Sequence, residues 1–442
     1  MRKTPYPHQI QASEYLVAGG DYLYMEPRTG KTLSTILAIE ALGARALILA
    51  PKSVLPVWKE ELEAEGQEAV VIDGTRQKKE KLLQEPGHHI ITYESSWRLI
   101  YDLEAYDVVV FDEALKLQNG NTQVGRHWRS IIRRKYPDRR YWGLSGAPCP
   151  ENALQLANQM MIMRGNWFGY SLYETYMYMF WSWNENKYKW QAKKGSETHP
   201  KDATNLFGEE SFKVSQKDLE MGEKIFEVRR VKASKADEKL FKANREQAIN
   251  PMDNSINYST DAMYRQAAGS GIDAETKTIS GKPSKLLAII EATKDFMEEE
   301  KTQIVIMTRF TTSGKWLAKE LDCPHIYGGT SGKDREKYIK AYRSGEQRVL
   351  VCQVDAVKMG IDFSANGHGV LVYAEHSWSG DTFIQSTQRV VNIERSSPAL
   401  IITYVMDFKK DSVDQNIYES VKNKRDFNAK LLEKKNGLKT DR

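Results

Sequence analysis

Short apolar runs recur through the first third of the chain, separated by polar or helix-patterned stretches: Tyr22 to Tyr24, Ala46 to Ala50, Ala69 to Ile72, His89 to Tyr93, Asp107 to Phe111 and Tyr141 to Leu144. The runs are continuous rather than alternating, which predicts strands buried on both faces, hence a parallel sheet covered by helices. Helices are expected over Ile10 to Val17 and where Leu33, Ile36, Leu37, Ile39 and Leu42 recur at helical spacing before Gly43. After Pro150 the rhythm breaks. Trp167 to Trp190 holds eleven aromatic residues, and Lys187 to Lys282 is polar, with little periodicity beyond a helix expected over Lys232 to Ala248. The small residues of Ala267 to Gly271 and of Gly281 to Ser284 read as a linker. A second rhythm follows, with a helix over Leu286 to Met297 and strands at Gln303 to Met307, His325 to Tyr327, Arg348 to Cys352, Gly369 to Tyr373 and Leu400 to Val405. The pattern predicts an α/β protein of two parallel-sheet domains in tandem, residues 1–165 and 283–425. Between them lies an aromatic-rich, mainly helical insertion and linker, 166–282, and a charged tail covers 426–442.

Composition narrows the class. With 40% hydrophobic and 28% charged residues, the chain has the make-up of a soluble globular protein. No apolar run is long enough to span a bilayer, and the polar, proline-bearing start MRKTPYPHQ is unlike a secretory leader, so no membrane association is expected. Cys149, Cys323 and Cys352 follow neither a disulfide framework nor a zinc spacing, which fits a reducing cytoplasm and buried, inert thiols. The histidines show no ligand spacing either. A net charge of +5 permits a polyanionic partner without requiring one.

The candidate chemistry begins at Met25 to Thr32, MEPRTGKT, between an apolar run and a helix start. Gly30 lets the backbone approach phosphates, the successive amides of Arg28, Thr29 and Gly30 point inward, Lys31 reaches the β/γ oxygens, and the Thr32 hydroxyl ligates magnesium. Met25 stands where the full phosphate-loop pattern has a further glycine. Asp112-Glu113 follows the apolar run Val108 to Phe111. A carboxylate at the tip of a buried strand can hold the magnesium water shell, and its neighbour can activate the attacking water. Lys31, Asp112 and Ser145 all fall at the carboxyl ends of expected strands, where open α/β sheets bind ligands. One cradle and two like-built domains suggest a nucleotide held in the cleft between them.

In order and spacing, these stretches resemble the motifs of superfamily 2 helicases, and among them the Swi/Snf-like DNA translocases of compact bacterial or phage type. Tyr6-Pro7-His8-Gln9 is similar to the adenine-reading segment, which makes Gln9 the base-recognition candidate. The run Leu49 to Leu62 resembles motif Ia and brings Lys52 to the nucleic-acid backbone. Ile91 to Glu94 resembles the next tracking-strand contact and suggests Tyr93. Asp112-Glu113-Ala114-Leu115 stands where the family carries Asp-Glu-Ala-His or Asp-Glu-Ala-Asp, and Ser145 to Pro148 resembles motif III. In the second domain, Ile304 to Phe310 is similar to motif IV, with Arg309 as a contact, and Tyr327 to Ser331 resembles a glycine and small-hydroxyl segment. Asp355 to Asp362 resembles motif V, which makes Gly360 and Asp362 inherited candidates for nucleic-acid and ribose contacts, while Trp378, a further nucleic-acid contact candidate, Gln385 and Gln388-Arg389 match the run into motif VI.

The resemblance implies two RecA-like domains hydrolysing ATP with Mg²⁺ in the cleft between them. Lys31, Asp112, Glu113 and Arg389 would be catalytic, with Thr32 and Asp112 on the metal. The partner implied is nucleic acid, most readily double-stranded DNA, handled by a monomer in the cytoplasm of a bacterium or phage-infected host. Two departures bear on mechanism. Leu115 replaces the residue that links the nucleotide site to motif III. Asn392 stands where an arginine finger belongs, a group worth ~10³ or more in rate; Arg395 is the substitute candidate. Three readings are open: Arg389 and Arg395 suffice, hydrolysis is slow, or position 392 was altered deliberately. Function classes therefore include a DNA translocase, a strand-separating DNA or RNA helicase, and an ATP-gated clamp. The aromatic run 167–190 is read first as a helical region packing on the first domain and second as a base-stacking surface or wedge. Arg126 to Arg140, with seven Lys or Arg against one Asp, is read first as a solvated helix face and second as a phosphate contact.

Overall fold

The computed structural model describes residues 4–149, 152–184, 189–219, 223–249, 258–355, 363, 368–390, 398–408 and 413–432. The chain divides into two compact units, Met1–Asp218 with Asp426–Arg442, and Leu219–Arg425. In the first unit, β1 (Tyr22–Met25), β2 (Ala46–Leu49), β3 (Ala69–Ile72), β4 (His88–Ile91), β5 (Val108–Asp112), β6 (Arg140–Ser145) and β9 (Phe212–Val214) form one sheet in the order β3-β4-β2-β5-β6-β1-β9. Every pairing in it is parallel. All residues of β1, β2 and β5 are buried, which is why their sequences run apolar without alternation. The register sets Asp112 beside Leu144 and Tyr24 beside Ser145, so β5, β6 and β1 end side by side. At the ordinary strand spacing, the two outer strands of that trio lie about 10 Å apart.

The second unit holds β10 (Lys224–Lys232), β11 (Thr302–Thr308), β12 (His325–Ile326), β13 (Val349–Gln353), β14 (His368–Tyr373) and β15 (Ala399–Asp407), in the order β10-β15-β14-β11-β13-β12. All these pairings are parallel too. Ile304 and Ile306 pack into one core cluster while Val305 and Met307 pack into another, the alternation by which a pleated strand feeds both faces of its sheet. Among the described residues no helix is long and apolar enough to cross a membrane.

Three stretches depart from the sequence reading. The aromatic run is helical only over Tyr173–Phe180 and then turns into an antiparallel hairpin, β7 (Trp181–Asn184) with β8 (Lys189–Ala192). Trp183 faces Trp190 across it with ring centroids 5.6 Å apart, and aromatic residues favour such cross-strand pairs. The polar stretch contributes β9 to one sheet and β10 to the other, because β10 is an edge strand whose Lys, Arg and Glu side chains hide its two-residue period. Ala267 to Gly271 is no open linker: Tyr258–Gly269 is a helix, and Ala268 and Ser270 are fully buried. Small side chains permit that close packing, as an added Cβ on Gly269 would sit 3.3 Å from Asp414 Oδ2.

The basic segment is also only partly a solvated face. It forms a helix with a π-type middle, His127–Ile132. Arg129 is buried there, donating to Asn158 Oδ1 at 2.6 Å and pairing with Glu174 at 3.1 Å. Arg126, Arg134 and Lys135 remain exposed.

Candidate nucleotide site

The helix Lys31–Ala41 starts directly after Gly30, whose φ of 91° is open to glycine at little cost. A Cβ at Gly30 would fall 1.8 Å from Gln9 Nε2, so the Gln9 amide lies against the one position that has no side chain. Gln9 is buried, and its Oε1 accepts from the Tyr6 amide at 2.9 Å. His8 Nε2 lies 2.8 Å from the Thr29 carbonyl, so this N-terminal helix contacts the loop at two points. Arg28 holds a φ of 69°, and Thr29 Oγ1 donates to the Glu26 carbonyl at 2.7 Å. The Lys31 ammonium donates to the Met25 carbonyl at 2.7 Å and the Glu26 carbonyl at 3.3 Å, curling over the loop it belongs to. Thr32 lies partly exposed in the first turn.

Asp112 ends β5 and is buried. Its Oδ2 accepts from the Trp58 indole N–H at 2.8 Å and its Oδ1 from the Glu113 amide at 3.1 Å. Burial, then the neighbouring Glu113 charge, push the Asp112 pKa up to about 6, against the pull of Trp58 and of the Lys31 ammonium. The strand that leads into the cradle, β1, and the strand that ends on Asp112, β5, flank β6 and end level with it, so the cradle and the acidic pair emerge from the same edge of the sheet. Glu113 follows with a φ of 54°, a left-handed conformation uncommon outside glycine and asparagine, and the chain then enters a short 3₁₀ turn, Ala114–Leu117. Leu115 is buried in that turn. Ser145 ends β6, its Oγ accepting from the Ala147 amide at 3.1 Å. A Cβ on Gly146 would lie 2.7 Å from Pro27 Cδ, so the motif III-like segment and the phosphate loop touch through a residue that has to be small.

The donor set fits a nucleotide with its metal. A helix start with an ammonium suits phosphate oxygens. A buried carboxylate whose charge is opposed by its surroundings is a group that a divalent cation stabilises. Among the described residues no cluster of three or more His, Cys, Asp or Glu could hold a metal by itself, so a cation here would rest on Thr32, Asp112 and the phosphates.

The expected polymer contacts divide. Lys52 is 76% exposed and lies 3.7 Å from Asp73. Trp378 is 42% exposed, with its carbonyl accepting from Lys424 Nζ at 2.9 Å. Arg309 is half-buried: Nη1 donates to Gln266 Oε1 at 2.6 Å, and its amide donates to the buried Glu375 at 2.8 Å. Tyr93 points the other way from the sequence reading. It is buried, and its hydroxyl donates to the Asp112 carbonyl at 2.8 Å, so it supports the acidic pair instead of facing a polymer. Arg389 caps the helix Gly380–Gln388 and is partly exposed. Gly360, Asp362, Asn392 and Arg395 lie outside the described residues. Trp58 was missed by sequence reasoning although it stands in the motif Ia-like run; a tryptophan on an amphipathic helix needs a partner for its N–H when buried, and that was the signal.

Comparison with known proteins bears on the family and the fold. Residues 18–299 match the SNF2-related domain, and residues 281–394 match the helicase conserved C-terminal domain. A Bacillus subtilis (strain 168) protein described as the uncharacterized ATP-dependent helicase YqhH is 28% identical over 144 residues, 30% of this chain and 25% of that protein. The match thus spans a quarter of that relative's length. Among solved structures, the Pyrococcus furiosus Hef helicase domain has a TM-score of 0.53 at 14% identity, covering 94% of this chain and 98% of that one. The Sulfolobus solfataricus SWI2/SNF2 ATPase core in complex with dsDNA has a TM-score of 0.43 at 18% identity, covering 98% and 93%. The Hef likeness shows the fold, two parallel-sheet domains in tandem. The SNF2-related match covers well over half of the residues, and the chain belongs to the SNF2-related family of superfamily 2 helicases.

Proposed function

We propose that this chain is an ATP- and Mg²⁺-dependent motor that translocates on double-stranded DNA. Supporting the reading is the sheet register: β1, which leads into the glycine-led helix start bearing Lys31, and β5, which ends on the buried Asp112, stop side by side with only β6 between them. Bound ATP with its metal would supply the phosphoanhydride whose cleavage drives movement. Lys31 and the amides of Arg28 to Gly30 bind and neutralise phosphate, Thr32 and Asp112 hold the cation, and Gln9 covers the loop and reads the base. Glu113, fixed by its left-handed backbone, orients water and accepts its proton at a carboxylate oxygen. Arg389, and Arg395 six positions further along, are the candidate cations for charge on the transferring phosphoryl. Lys52, Arg309 and Trp378 are the candidate polymer contacts, made to backbone and therefore independent of sequence.

Lys31→Ala should abolish DNA-stimulated phosphate release; unchanged release rejects the site assignment. Asn392 favours a second reading, an ATP-gated clamp with slow turnover. Asn392→Arg separates the two: a strong rise in turnover supports the clamp, and an unchanged rate supports a motor whose other arginines suffice.

A further inference from the structure

The first unit also carries two adjoining surface grooves, of about 480 and 390 Å³, that share Trp97 and Tyr101. Each is of a size that takes a small organic ligand or one nucleotide, within the usual range of about 300–1,000 Å³. Arg76, Lys79 and Arg98 line the first groove and Arg126 the second, and neither lining includes an acidic residue. Tyr101 is 56% exposed, Trp97 is half-buried, and the Arg98 guanidinium sits 5.0 Å from the Trp97 ring centroid. Arg76 also pairs with Glu80 at 2.8 Å, but both side chains are solvent-exposed and such a pair holds weakly. Burial lowers the pKa of His127 in the second groove, where its Nε2 lies 2.6 Å from the Ile100 carbonyl, and Arg126 is the cation of that lining.

We propose that this double groove binds an unpaired nucleic-acid strand, with bases stacking on Trp97 and Tyr101 and backbone phosphates on Arg76, Lys79, Arg98 and Arg126. Flat rings flanked by cations are the combination that single strands use and duplexes cannot, since a duplex hides its base faces. An acidic peptide would use the cations but leave the rings without a stacking partner. The site is separate from the phosphate cradle and does not depend on it, yet the two share an element. The helix Tyr93–Leu99 carries Trp97 at one end and at the other Tyr93, whose hydroxyl holds the Asp112 carbonyl. Trp128 braces that helix through Ser96 Oγ at 3.0 Å.

The test is fluorescence anisotropy of the full chain with labelled oligothymidylate and with a hairpin duplex, at two salt concentrations. Trp97→Ala and Tyr101→Ala should weaken oligothymidylate binding roughly tenfold. Duplex affinity and polymer-free ATP turnover should stay unchanged. Trp97→Phe, which keeps a ring, should retain most of the affinity and guards against a folding defect. Arg98→Gln should lower the slope of log affinity against log salt by about 0.7. Three results overturn the proposal: variants that bind oligothymidylate as the wild type does, variants that lose duplex binding equally, or polyglutamate displacing oligothymidylate at matched charge concentration, which would make the groove a peptide site. Failure of the cradle reading is separable, because it is read from Lys31→Ala turnover alone.

Discussion

Replacing Trp58 by Phe removes one hydrogen-bond donor from Asp112 while keeping a ring in the core. Trp58 Nε1 donates to Asp112 Oδ2 at 2.8 Å, and both side chains are buried, so the bond is shielded from bulk solvent. A hydrogen bond to a charged group contributes about 1.5–3 kcal/mol, and it favours the ionised carboxylate over the protonated form. Asp112 already titrates at about 6 because burial and Glu113 oppose its charge. Losing the indole N–H should raise the pKa by roughly one to two further pH units. Metal binding requires the ionised form, so in the wild type Mg²⁺ affinity should climb as pH rises through about 6 and then level off. In Trp58→Phe that climb shifts to higher pH. At pH 7 the Mg²⁺ concentration for half-maximal turnover should rise roughly twofold to tenfold, and at pH 9 it should match the wild type. The assay is phosphate release against Mg²⁺ at several pH values, with thermal unfolding as control. A Mg²⁺ requirement raised equally at pH 7 and pH 9 would mean that Trp58 only packs, and the reasoning would be refuted.

Two further predictions follow from the same site. Asp112 has a folded pKa raised above its unfolded value, so folding favours the protonated form, and stability is lost as pH rises from the ordinary carboxylate range through about 6. Asp112→Asn should therefore stabilise the protein at pH 8, by up to about 3 kcal/mol, while abolishing Mg²⁺-dependent turnover; chemical denaturation at pH 8 and pH 4 checks it, the gain vanishing at the lower pH. Gly30→Ala would force a side chain into a left-handed backbone and into Gln9. It should destabilise the first unit by roughly 1–2 kcal/mol and displace the Gln9 amide, lowering ATP affinity in a binding titration.

The buried parallel strands were legible because nothing about them competes with their apolar signal: β1, β2 and β5 read the same in sequence and in structure. The cradle and the acidic pair were legible for a different reason, since Gly-Lys-Thr and Asp-Glu stand next to the strand ends that hold them. What escaped notice depends on direction and on partners distant in sequence. Tyr93 sits in a stretch that suggests polymer contact, but whether its ring faces solvent or core is decided by where β5 places Asp112. Trp58 meets Asp112 across 54 positions of sequence. β10 escaped because an edge strand guarded by charges loses the contrast that marks a period of two. The buried Arg129 shows the converse, a cation that composition assigned to solvent but that Asn158, Glu174 and the Tyr173 ring hold inside.

The most direct test of the central claim is steady-state ATP turnover by the full chain with no polymer, single-stranded DNA, duplex DNA and RNA, each at two salt concentrations, alongside Lys31→Ala. The account predicts turnover stimulated most by duplex DNA, weakened by salt and lost in Lys31→Ala. Turnover that ignores every polymer, or that survives the loss of Lys31, would contradict it.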